Sequence, residues 1–359
     1  LGVRAERRDD GSLLENDLLR VEIGSDGTIH RMVDKTLGDR DILTDRGNQL
    51  WAFVDKPRTY DAWDIEEDYE DAGEEIGGVE SIDVIETGPL RGAVRVRRRW
   101  RDSRIEQTYR LLAGSRRLDI ATRIDWHERQ VYLQARFPLA VHTHEATYET
   151  MYGVVRRPTH RNTSWDTARY EVSGHRFADL SEPGYGVALL NDAKYGYSAH
   201  GNVLTLSLLR GPLYPDPTAD EGEHVFTYSL FPHPGDWTEG GVVDEAFALN
   251  SPLIAVPAAS GGSQTGIDHL LSVEGAPLAI GSLKRAEDGN GIILRLHEPH
   301  GNRERATLRF ALPLERIERV DLLEEYDEEV APMVSADATT VHLQVRPFEV
   351  VSLRVVFSN

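Results

Sequence analysis

The ten residues YDAWDIEEDY, Tyr60 to Tyr69, hold three aromatic rings and five carboxylates, with no Lys or Arg among them. Charges at this density repel one another. The segment is therefore either a solvated acidic loop or a surface for a ligand that uses rings and acids together. Sugars are ligands of that kind: their C–H faces stack on aromatic rings, and their vicinal hydroxyls donate to carboxylates. Asp61 and Asp64 flank Trp63, Tyr60 precedes them, and Pro57 stiffens the approach. Tyr60, Asp61, Trp63 and Asp64 are the first candidates for sugar contact. The acidic run from Glu66 to Glu75 reads as solvated.

A second candidate lies in LYPDPTADEGEHVFTY. Tyr214 and Asp216 stand between prolines that hold the segment extended. Asp220 and His224 then lead into a strand. An acid and an imidazole on a rigid loop at a strand end suit a binding site, although turn architecture also favours Pro and Asp. In HTHEATYE, His142 and His144 share one strand face and can ligate a metal, but no third ligand stands near them in sequence. Two polar residues on a solvent or interdomain face is the simpler reading. The segment RRPTHRNTSWDTARYE, with His160, Arg161, Trp165 and Asp166, reads as a long ordered loop that pins two domains together. The chain has no P-loop, no G-x-G-x-x-G after a strand, no G-x-S-x-G and no H-E-x-x-H.

The elements that position these residues are strands. In GAVRVRRRWR, Val94, Val96 and Trp100 share one face and Arg95, Arg97, Arg99 and Arg101 the other. The arginine face predicts pairing with acids on a neighbouring strand rather than a nucleic-acid stripe. Leu118, Ile120, Ile124 and Trp126 alternate with Asp119, Arg123 and Asp125. Val131, Leu133, Ala135 and Phe137 line one side of the next strand. Turn signals such as AGSR, EPGYG and HGN separate the runs, as in antiparallel sandwiches. No helix pattern exceeds about three turns. The segment 251–267, SPLIAVPAASGGSQTGI, is nearly uncharged and rich in Pro, Gly, Ser and Ala, as a linker is. The expected division is a large β domain over 1–250 and a smaller one over 251–359.

The 359 residues carry 60 acids against 40 bases, a formal charge of -20, which disfavours nucleic acid as a partner. No apolar run reaches the ~20 residues of a membrane span. There are no cysteines, which excludes disulfides and thiolate chemistry and suits a reducing, cytoplasmic setting. The N-terminal LGVRAERRDDG lacks the apolar core of a signal peptide and an initiating Met, so a piece of something longer is expected.

Five segments in order, LENDLLRVEIGSDGTIHRMVDK, DKPRTYDAWDIE, RRPTHRNTSWDTARYE, SLLRGPLYPDPTADEGEHVFTYSLFPH and LKRAEDGNGIILRLHEPHG, resemble the C-terminal β region of glycoside hydrolase family 38 α-mannosidases of the bacterial and cytosolic type. The resemblance runs from about Leu14 to about Val356. It implies an all-β chain: a large galactose-mutarotase-like β-supersandwich followed by a smaller β-sandwich. It also implies hydrolysis of terminal α-mannosides with retention, using two carboxyl groups and a zinc ion that holds the sugar. In the family those groups belong to an N-terminal catalytic domain with no counterpart here, so no catalytic residue, no metal ligand and no cofactor carry over to this chain. The resemblance implies two partners, the chain's own catalytic domain and a mannoside, and Tyr60, Asp61, Trp63 and Asp64 as part of the pocket wall, with Asp220 and His224 as second choices. The lost partner surface leads us to expect self-association. A stand-alone carbohydrate-binding module and an aldose epimerase are the alternatives.

Overall fold

The computed structural model describes residues 2–257, 269–326 and 334–358. It is 54% strand and 6% helix, and its strand pairings are antiparallel. The chain divides into two compact units, Leu1–Glu149 with Arg156–Pro252, and Thr150–Val155 with Leu253–Asn359. Of the expected linker 251–267, residues 258–267 lie outside the described ones.

In the first unit, a nine-stranded sheet is organised around the 13-residue strand Gly222–Pro234, with Leu118–Trp126, Ser103–Leu112 and Arg91–Trp100 following on one side. Period-two patterning accounts for these strands. Leu118, Ile120, Ile124 and Trp126 are fully buried, while Arg123 and Asp125 on the opposite face are exposed. Each such side chain contributes about 1.5–3 kcal/mol relative to exposure. A six-stranded sheet runs in the order Val172–Ser173, Gly196–His200, Val203–Leu209, Val131–Pro138, Gln49–Val54, Gly73–Glu75. The two sheets share one core, with Phe137 of the six-stranded sheet edge-on to Tyr228 of the other at 6.2 Å between ring centres. A five-stranded meander over Arg4–Asp41 packs Val21, Ile23 and Met32 into the same core. The second unit is a sandwich of two four-stranded sheets closed on Leu294, Leu296, Leu308, Val341 and Leu353.

Alternation misleads at two places. Arg98 lies on the inward face beside Val96 and Trp100; it is 2% exposed and donates from Nη1 to the Asp26 carbonyl at 2.9 Å. Its outward neighbours behave as expected: Arg97 pairs with Glu106 at 2.8 Å across the ladder. In Val131–Pro138 both faces are buried, because Tyr132 and Gln134 lie beneath cover as well as Leu133 and Ala135. The cover is two long excursions of the chain, and these excursions build the sites below.

Candidate functional site

The first excursion leaves the strand Gln49–Val54 at Asp55. The buried Asp55 carboxylate receives both Nε and Nη2 of Arg210, each at 2.7 Å, a two-pronged pair of the strongest type. Burial pushes the Asp55 carboxyl up, and the guanidinium opposes that shift. Arg210 stands at the end of the strand Val203–Leu209, and its Nη2 also donates to the Asp64 carbonyl at 2.5 Å. One guanidinium therefore fixes the root of the 55–72 loop and its tip.

The tip is a tight turn. The Tyr60 carbonyl accepts from Trp63 N at 2.7 Å and Asp64 N at 2.9 Å, and Tyr60 adopts φ 56°. That left-handed geometry costs a tyrosine roughly 1–2 kcal/mol, so it persists only where the surroundings enforce it. The enforcement comes from Asp61. Its carboxylate accepts the backbone N–H of Leu213, and that of Tyr214 at 3.3 Å, and so staples the turn to the proline-rich loop 211–222. That loop is pinned in turn by Asp220, whose Oδ2 accepts Arg210 N at 2.9 Å and Gly211 N at 3.0 Å. The His224 ring bonds the Asp220 carbonyl at 2.8 Å.

With the backbone so held, three rings are left outside. Tyr60 is 69%, Trp63 67% and Tyr214 64% exposed, and Trp63 meets Tyr214 edge-on at 6.5 Å between ring centres. Asp64 lies among them with one carboxylate oxygen bonded only to the next backbone N–H, that of Ile65, at 3.0 Å. The six sequence candidates thus converge on one corner with divided tasks. Asp61, Asp220 and His224 hold loops, and Tyr60, Trp63 and Asp64 face outward. Sequence reasoning missed Asp55 and Arg210, which hold the corner. Their signal was only an arginine just before Gly-Pro and an acid just after a strand. It also named Tyr214 for its place between prolines, without foreseeing its meeting with Trp63.

Further along the first excursion, Tyr69 turns inward against Phe53 and Tyr132, at 5.3 and 5.7 Å between ring centres. The second excursion, residues 159–171, lies over the same sheet face. Arg161 pairs with Glu70 at 3.3 Å, and Tyr170 packs on the Phe53–Tyr69–Tyr132 cluster. Those contacts fall inside the first unit, not on a second domain. Beneath the cover, the Glu171 carboxyl meets the Tyr132 hydroxyl, the Ser207 hydroxyl, and Gln134 Nε2 at 3.3 Å. Burial pushes this carboxyl up, and the three hydrogen bonds offset only part of the shift.

Family models place the chain. The model of the glycosyl hydrolases family 38 C-terminal domain matches residues 14–218, more than half of the sequence, and that of the family 38 C-terminal beta sandwich domain matches residues 277–353. The chain belongs to glycosyl hydrolase family 38. Among curated relatives, Alpha-mannosidase 2C1 of Homo sapiens is 38% identical over 97% of this chain and 34% of its own length. Alpha-mannosidase of Saccharomyces cerevisiae is 33% identical over 97% of this chain and 35% of its own. The chain spans about a third of the length of these relatives. An α-mannosidase from Enterococcus faecalis V583 shares the fold, with a TM-score of 0.77 at 17% identity, over 95% of this chain and 42% of that one. Among the described residues, no three His, Cys, Asp or Glu side chains group to hold a metal.

Proposed function

We propose that this chain is the C-terminal β portion of a retaining α-mannosidase, and that its aromatic corner forms part of the wall of the sugar pocket. The catalytic groups and their zinc then belong to a domain elsewhere in the polypeptide. The observation that carries this reading is the exposure of Tyr60, Trp63 and Tyr214 on a backbone fixed by Asp55, Arg210, Asp61 and Asp220. Rings held out in fixed positions offer stacking area at little entropic cost on binding. Asp64, the outward carboxylate among the candidate residues, accepts hydrogen bonds from sugar hydroxyls. The cysteine-free composition supports a cytoplasmic setting.

The test is Asp64→Ala in the full-length enzyme. A charged hydrogen bond to substrate contributes about 1.5–3 kcal/mol, so kcat/KM on a nitrophenyl α-mannoside falls roughly tenfold to a hundredfold with an unchanged melting temperature. Parental efficiency with parental melting sinks the pocket-wall reading. The 359-residue chain by itself releases no nitrophenol from that substrate, with or without added zinc. Zinc-dependent turnover by the pure chain would show that the catalytic groups lie within it.

A further inference from the structure

At the other end of the same sheet lies a cleft of about 780 Å³, entirely within the first unit. It opens where the strand Val131–Pro138 ends, between three separate stretches of chain, and His142, His144, His160 and His200 all line it together with Arg161. The walls are fixed by groups other than these. Asn202 Nδ2 bonds the Leu139 carbonyl at 2.7 Å, the Thr159 hydroxyl bonds the Thr143 carbonyl at 2.9 Å, and Glu182, paired with Arg40 at 2.7 Å, accepts His142 N at 2.9 Å. Among the imidazoles lining the cleft, His160 Nδ1 accepts Asn162 N at 3.4 Å. His142 and His144 stand edge to face at 5.4 Å between ring centres, and neither ring has a hydrogen bond among the described residues. Arg161 is held only loosely, at 3.3–3.4 Å from Glu70.

The geometry points to a binding site for a tetrahedral oxyanion, a phosphate or sulfate group, free or carried on a sugar. Arg161 and a protonated imidazole offer only donors, the cleft's volume suits a small molecule rather than a bare ion, and guanidinium and imidazolium recognise oxyanions through charge-assisted hydrogen bonds. The one carboxylate on the wall, Glu182, is already engaged by Arg40 and a backbone N–H. The titratable groups facing the imidazoles set the pH range. Asp166 lies 3.6 Å from His160 Nδ1, Glu70 lies beyond Arg161, and Glu145 is next to His144. Burial and Arg161 hold His200 below the usual imidazole range.

The experiment reads individual histidines in the full-length protein by the rate of acylation with diethyl pyrocarbonate, followed by peptide mass spectrometry. Sulfate is the first probe because it stays a dianion throughout, so any pH dependence belongs to the protein. Near about pH 6, sulfate slows acylation of the cleft histidines roughly threefold or more against chloride at equal ionic strength, and the protection fades near about pH 8. The exposed His342 of the second unit is the internal control and is unaffected. Arg161→Gln and, separately, His144→Gln remove the protection of the remaining cleft histidines. A hexose 6-phosphate that protects at lower concentration than inorganic phosphate identifies a sugar-borne anion; equal potency identifies a free one. Protection of His342 to the same degree, protection by the neutral hexose alone, or protection that survives both substitutions overturns the proposal.

Discussion

The two ends of the strand Val131–Pro138 carry opposite surfaces built by one method. At the Val131 end, charged groups are consumed in fixing backbone: Arg210 on Asp55, Asp61 on Leu213 and Tyr214, Asp220 on Arg210 and Gly211. What remains outside is aromatic. At the Pro138 end, neutral hydroxyls and amides do most of the fixing, through Thr159 and Asn202, and what remains outside is imidazole and guanidinium. Which side chains are spent on the frame decides which are left for a ligand.

The strongest way to break this contrast is to remove the frame of the corner. Arg210→Met leaves Asp55 buried without its partner, and breaking a buried pair by removing one member costs about 3–5 kcal/mol. The melting temperature then falls on the order of 10 °C, read by circular dichroism. A melt like the parent's would show that the pair does not hold the corner. A smaller effect, and a different one, comes from Trp63→Ala. An exposed ring contributes its stacking, about 0.5–1.5 kcal/mol, and little else. In the full-length protein, the proposed pocket-wall role predicts that activity on a nitrophenyl mannoside drops several-fold while thermal stability stays put. A drop in stability instead would mark the ring as part of the frame.

The smallest effect concerns Glu171, which lies between the two ends. Its pKa in the folded state is raised above the ordinary 4.5. Above pH 4.5 the native protein retains a proton that the unfolded chain has released, so this group's contribution to stability declines as pH rises through the folded value. Glu171→Gln cannot ionise and keeps the hydrogen bonds to Tyr132 and Ser207. Chemical denaturation across pH should show variant and parent closest in acid, with the variant relatively more stable toward neutral pH. Parallel curves would mean that the Glu171 pKa is not raised in the folded state.

Much of this was legible in the sequence, and the exceptions share a cause. Strands wet on one face announce themselves, as Leu118, Ile120 and Ile124 do against Arg123 and Asp125. Tyr132 and Gln134 could not be read as buried because the cover over them comes from distant loops. The acids of YDAWDIE stood out by composition, but composition does not say that Asp61 faces a backbone while Asp64 faces outward. His142 and His144 were visible as a pair, whereas the cleft exists only once folding brings His160 and His200 to them. Arg98 was assigned to neither face, and it points inward to the Asp26 carbonyl.

The staple between Asp61 and the Leu213–Tyr214 backbone also limits how this corner changes over generations. One added residue between Asp55 and Asp61 displaces the chain by up to about 3.8 Å, which takes the Asp61 carboxylate out of reach of its two amides. Pro212 and Pro215 on either side offer no N–H in replacement. A lengthened first loop therefore unlatches the second. Only a compensating change in the second loop would bring its amides back to the Asp61 carboxylate, while single substitutions of the outward rings leave the latch closed.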